Sequence, residues 1–445
     1  MKIHPAEKKS SGAFLRACAL LSLIAFVGLA VFVILRDGGA PVIKLTPQTG
    51  AASYATEFNL TLSSGRSALK DCTITASQDG KRVVVLQKLF AEPQLTHTES
   101  FHIPREAGFK EGPLEMVIVV RNNALLSLLG RGKSSLVQNL TLDFSPPRLS
   151  ITPGTHNVNQ GGGAVVSYTV SKPVERTGVA VGQYFFQAYQ QPGGEWQCYF
   201  AMPHLMQPSD FKPKVIATDK AGNQATQNVT VLAIPKPFKA DKLNIPDEFL
   251  NSKMSQYTAL YPAEKSPLDI YKRVNTELRK QNEAELFKIA QDTSPTPLWS
   301  GPFLRLPNSA GRANFGDQRD YFYQGEKIDH QTHMGVDLAS VANAPVPAAN
   351  TGRIVYAAFL GIYGNCVIID HGLGLQSLYS HLDEISVTMG AQVNRGDIIG
   401  KTGTTGLAGG DHLHFGMVIG GLQVSPVEWW DDHWIKDNIL AHLKK

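Results

Sequence analysis

Hydrophobic and polar positions change rhythm several times along the chain, and each rhythm predicts a different element. Residues 17–35 (ACALLSLIAFVGLAVFVIL) form an apolar run of 19 residues without a charge. As a helix this run spans about 28 Å, close to the hydrocarbon thickness of a bilayer. From 41 to 234 short runs such as VSYTVS (166–171), KVIATD (214–219) and NVTVLAI (228–234) alternate or concentrate β-formers between turn residues. That pattern predicts successive β-sandwiches, with a joint near Ser145, Pro146 and Pro147. After Pro235-Lys236-Pro237 the period becomes helical, and Ile270, Val274, Leu278, Leu286 and Ile289 recur on one face. Ser266, Pro267 and Asp269 supply a cap, a first-turn proline and an acid at the positive end of the dipole. The polar positions between (KRVNTELRKQNEAE, 272–285) predict a solvated face with no binding role. Beyond Trp299 the chain turns glycine-rich and strand-like until the aromatic close PVEWWDDHWI.

These rhythms divide the chain into a cytoplasmic tail (1–16), a transmembrane anchor (17–35), a first β-sandwich (41–145) and a second (146–234). A linker with a helical connector (235–298) and a C-terminal β-rich domain (299–445) follow. The fold class is mainly β with one N-terminal helix. A stretch of 7–15 apolar residues ending in a small-residue cleavage site would mark a cleaved signal peptide. The nearest such site, Gly38-Gly39-Ala40, runs straight into Pro41, so an uncleaved anchor fits better.

Charge adds topology. Of 42 basic and 38 acidic residues, five bases (Lys2, Lys8, Lys9, Arg16, Arg36) and one acid (Glu7) lie in 1–36, which leaves 37 of each for the rest. Bases ahead of the apolar run outnumber the one behind it, so the amino terminus stays in the cytoplasm and the bulk of the chain is periplasmic or extracellular. A neutral exported part argues against a surface dedicated to nucleic acid. Four cysteines without a CxxC spacing give no structural zinc or redox site, and Cys366, in the apolar run GNCVIID, reads as a buried thiol. Whether Cys72 and Cys198 pair is left open by the sequence.

Histidine is distributed unevenly. Eight of the 13 fall between His330 and His442. His330, His371, His433 and His442 read as surface or hydrogen-bonded residues. The others sit in three pieces: HMGVD (His333, Asp337), SLYSHL (His381) and DHLHFG (His412, His414). Histidines at i and i+2 of a strand share a face. Gly335 permits the close approach that brings His333 and Asp337 together. Two imidazoles and a carboxylate form a common ligand set for catalytic zinc. IIGKTGTTG has the look of a phosphate-binding loop, but the position that must be glycine is Arg395, so it reads as a turn-rich loop placing the HxH strand.

HMGVDLAS, GNCVIIDHGLGLQSLYSHL, VNRGDIIGKTGTTG and DHLHFGMVI, in this order, resemble the LytM/lysostaphin-type zinc metallopeptidases of bacterial cell walls over 303–434. The hairpin ATDKAGNQATQNVTV, with Asp219, Ala221, Gly222 and Asn223, resembles the closing hairpin of bacterial immunoglobulin-like domains. The first resemblance implies one zinc ion on His333, Asp337 and His414, and catalytic roles for His381 and His412. It also implies an endopeptidase cutting peptidoglycan cross-links or stem peptides with a zinc-activated water. The expected partners are peptidoglycan and the membrane, with any protein regulator unspecified. Members of the family that lack ligands act as activators of other hydrolases, and a non-catalytic scaffold or activator is therefore the alternative. A general exported zinc protease is a third reading. No position here departs from the five-residue pattern.

Overall fold

The computed structural model describes residues 11–36, 39–48, 50–124 and 132–443. Most of the tail expected over 1–16 lies outside these residues. The apolar run belongs to helix α1 (Ser11–Arg36), in which Phe14–Phe32 is long and apolar enough to cross a membrane. That length and composition are compatible with a single-pass anchor and are shared by signal sequences. The chain forms two compact units, Met1–Pro146 with Lys220–Asn223, and Pro147–Asp219 with Gln224–Lys445.

In the first unit a three-stranded sheet (Val42–Thr46, Phe58–Ser63, Thr96–Phe101) and a five-stranded sheet enclose one core. Phe58, Leu60 and Leu62 point inward at alternate positions, and Ile74, Met116 and Ile118 meet them from the other sheet.

The second unit begins with two four-stranded sheets that include Gly163–Val170, Trp196–Ala201, Arg176–Val181 and Lys214–Thr218. Residues 219–223 join Lys214–Thr218 to its antiparallel partner Gln224–Asn228, with Gly222 at a φ of 84°. The sandwich is not an isolated bead. Val166, Tyr168 and Val215 share one core with Leu338, Ile369, Phe415 and Trp429 of the C-terminal sheet, and Tyr199 meets Trp429 edge-on.

The C-terminal sheet runs Ala310–Ala313, Val336–Ala339, Leu413–Ile419, Leu375–Leu382, Asn365–Asp370, Gly352–Phe359, Gln392–Val393. Cys366 is fully buried in it, and all four thiols are free, Cys72 and Cys198 each inside a different core.

The 235–298 segment does more than link. Ala240–Asn244 adds a parallel strand to the hairpin of Gln318–Tyr323 and Glu326–Thr332. Three helical pieces follow, α2 (Asp247–Met254), α3 (Pro267–Arg273) and α4 (Arg279–Ile289), with a π turn (Val274–Leu278) between α3 and α4. Ser266 caps α3 as expected, its hydroxyl oxygen accepting from the Asp269 amide at 3.1 Å. Ile270, Val274, Leu278 and Leu286 are buried against Tyr363, Ile368 and Leu378. The face expected to be solvated is partly buried: Asn275 and Asn282 are 1% and 5% exposed. Each has a partner, Asn275 giving its amide to Asp329 at 2.6 Å and Asn282 accepting from the Ile362 amide at 2.9 Å.

Candidate metal centre and active site

Three neighbouring strands and two loops bring the sequence-selected residues together. Asp337 and His414 are directly opposed partners on the antiparallel strands Val336–Ala339 and Leu413–Ile419. His333 enters from the end of the Glu326–Thr332 hairpin. His333 Nε2 lies 2.9 Å from Asp337 Oδ1 and 3.0 Å from His414 Nδ1, and His414 Nδ1 lies 3.0 Å from the same oxygen. Gly335 makes this possible, because a Cβ there would fall 2.5 Å from His414 Nε2 and 2.7 Å from the Phe415 carbonyl oxygen.

His381 closes the Leu375–Leu382 strand with a left-handed backbone, φ 62°, which side chains other than glycine adopt at a cost. Its ring centre lies 4.9 Å from that of His412 and 5.8 Å from that of His414. His412 Nε2 approaches Asp337 Oδ1 at 3.4 Å. The structure therefore gathers all five residues, and it brings in Arg319, whose Nη2 donates to Asp337 Oδ2 at 3.2 Å. Arg319 sits in the hairpin strand Gln318–Tyr323, and nothing in its sequence surroundings marked it.

The backbone fixes the tautomers. His333, His381 and His412 place Nδ1 at 2.9, 2.9 and 2.7 Å from the carbonyls of Asn314, Thr405 and Gly410. A carbonyl only accepts, so Nδ1 carries a proton in each ring and Nε2 is the atom left for the site. Burial alone would raise the Asp337 carboxyl, but His333 and the other imidazoles hold it well below the usual carboxylate range. Burial, followed by His412 and His414, holds the His381 imidazole well below its ordinary value. Burial also pulls His412 down, but Asp337 outweighs it and the net direction is up.

The donor set fits zinc. Bonds of about 2.0–2.1 Å in tetrahedral geometry set ligands about 3.3 Å apart. The three converging atoms, 2.9–3.0 Å from one another, are close to that spacing. They also form one His/Asp/His group within 4.8 Å, and the Asn314 carbonyl orients His333 as an outer-shell partner does.

A cavity of about 590 Å³ opens on this cluster. Its other wall is the connector, through Leu243, Ile245, Phe249, Lys253, Asn275 and Arg279. Lys253 Nζ donates to the Thr404 carbonyl and Gln256 to the Gly406 carbonyl, so α2 and the turn after it reach the loop ahead of His412. That loop is structural. Lys401 pairs with Glu384 at 2.7 Å, and the Thr402 hydroxyl donates to Asp411 at 2.6 Å, beside His412. Elsewhere His371 is buried between the Thr351 carbonyl and the Ser377 hydroxyl, and His330 hydrogen-bonds Asp320 at the surface.

A His/Asp/His cluster on one sheet and the loop beside it, with two more imidazoles aimed into the same cavity, is the arrangement of a metal-dependent hydrolase. Residues 331–426 match the family model Peptidase family M23, and the chain carries a domain of that family. Over 95 residues (21% of this chain, 22% of the relative) it is 41% identical to the DD-carboxypeptidase/endopeptidase Mpg of Neisseria meningitidis. Over 96 residues (22% of each) it is 35% identical to the peptidoglycan DD-endopeptidase ShyA of Vibrio cholerae. The matched region thus spans 22% of the length of these relatives. A solved peptidase M23 from Pseudomonas aeruginosa aligns over 62% of this chain and 93% of its own, at 21% identity and a TM-score of 0.37.

Proposed function

We propose that the protein is a zinc metalloendopeptidase of peptidoglycan, anchored in the cytoplasmic membrane by α1 with its catalytic unit outside. The observation that carries this reading is the convergence of His333, Asp337 and His414 in a cavity that also holds His381 and His412. These three side chains would hold the metal, with Arg319 taking Asp337 Oδ2 so that Oδ1 faces the imidazoles. Zinc, when bound, supplies Lewis-acid polarisation of the scissile carbonyl and lowers the pKa of a coordinated water to about 7.

The remaining work falls to side chains. His381 and His412 each have Nδ1 tied to a backbone carbonyl, which leaves Nε2 to take a proton and to return it to the leaving amine. Whichever of the two is protonated at that moment can donate a hydrogen bond to the developing oxyanion. Burial of both rings keeps bulk water from competing for those protons. The intact five-residue pattern favours cleavage over the activator reading. The names of the two relatives supply the substrate class, peptidoglycan peptides. The two sandwiches then serve as spacers between the membrane and the wall.

The test is product analysis. The full chain, purified in detergent, is expected to hold about one zinc and to release cross-link fragments from peptidoglycan identifiable by mass spectrometry. Bound zinc without fragments from any cell-wall preparation would remove the enzymatic reading.

A further inference from the structure

Arg279 stands outside the five-residue site and outside the family-matched segment, yet it lines the same cavity. It opens α4, directly after the π turn, and is partly buried. Its guanidinium is held by uncharged oxygens. Nε donates to the Asn275 carbonyl at 3.2 Å and Nη2 to Asn275 Oδ1 at 2.6 Å. Asn275 is itself fixed by its 2.6 Å bond to Asp329. Among the described residues Arg279 makes no ion pair within 4.0 Å, and Nη1 has no hydrogen-bond partner. Glu283, one turn further on, makes none with it either. Glu283 interacts with it only at longer range, so a positioned, partly desolvated guanidinium without a direct ion-pair partner can still receive an anion, and its planar fork matches a carboxylate. A π turn that displaces the ladder at such a place is a recurrent mark of function.

The rest of the cavity agrees. Its cations are Lys253, Arg279 and Arg319, and its acids are Glu248 and Asp337. Asp337 is already taken by Arg319 and the imidazoles. Lys253 gives its ammonium to a backbone carbonyl, not to an acid. With Arg319 and Asp337 paired, Lys253 and Arg279 face the single carboxylate of Glu248, and the net formal charge of the remaining lining is positive.

We propose that Arg279 is a specificity residue that receives a free carboxylate of the peptide bound in the catalytic cavity. This rests on the reading of the cavity as a peptidase site and adds that peptides bearing free carboxylates are preferred over their neutral counterparts. Arg279 contributes recognition only, and the bond-breaking groups remain those described above.

Binding decides it independently of turnover. The probes are N-acetyl-L-Ala-D-Glu-L-Lys-D-Ala-D-Ala with free carboxylates and the same peptide with every carboxylate converted to a carboxamide. Titrated calorimetrically into the zinc-loaded full chain in detergent, the acid form is expected to bind about tenfold more tightly than the amide. The preference should vanish in Arg279→Gln and persist in part in Arg279→Lys. Equal affinity of the wild-type chain for both peptides overturns the proposal, as does an undiminished preference in Arg279→Gln. A chain that binds the acid preferentially but cleaves nothing would overturn the enzymatic reading and leave this one standing.

Discussion

Asp337 and His414 face each other across two antiparallel strands, with Oδ1 of one 3.0 Å from Nδ1 of the other. Two side chains in direct register have their separation set by the sheet itself, and a slip of one residue would turn one of them to the opposite face. The pair therefore needs no loop ordering to exist. Replacing His414 by Ala is expected to abolish stoichiometric zinc, measured by atomic absorption, together with peptidoglycan hydrolysis. His381→Ala should instead retain the metal and lose about 10²–10⁴-fold in rate. Loss of zinc in His381→Ala would move that residue into the ligand set.

Gly335 is expected to tolerate no side chain. In Gly335→Ala the new methyl meets His414 and the Phe415 carbonyl, the latter a backbone atom with little room to move. We expect a loss of about 1–3 kcal/mol in stability with weakened zinc binding. Thermal melts with and without zinc read both effects.

Arg319 acts on the metal through Asp337. Arg319→Ala should weaken zinc affinity about 10–100-fold in a chelator competition. Arg319→Lys should recover part of it, since one donor to Oδ2 is restored. An unchanged affinity in Arg319→Ala would leave the 3.2 Å contact without consequence.

His371 sets an acid limit on stability. Burial lowers its pKa to about 4, so the folded protein keeps it neutral while the unfolded chain protonates it near pH 6.5. Between these values the unfolded state binds more protons, and stability falls as pH falls from about 6.5 to about 4. The contribution is about 3 kcal/mol. Chemical denaturation across this range should show a steeper decline for the wild type than for His371→Gln.

The sequence exposed the metal site well because its signal is local. HxH on a strand, HxxxD around a glycine and an isolated YxHL each encode direction through the period of two, and strand pairing did the rest. The connector was harder to read. Ala240–Asn244 (ADKLN) carries no alternating apolar pattern, and its strand exists because Gln318–Tyr323 offers it an edge. Asn275 and Arg279 sit in a polar helical stretch that a 3.6-residue period assigns to solvent. The π turn breaks that period, and tertiary partners (Asp329 for one, the cavity for the other) draw both inward. Arg319 carried no signal because its meaning depends on a contact 18 positions away.

The cavity's two sides come from separate stretches of the chain. The side that carries the metal-site residues lies within 331–426, while Leu243–Lys253, Asn275 and Arg279 precede it by at least 50 positions. Substitutions on the connector can therefore reshape what the pocket admits without touching the residues that do the chemistry.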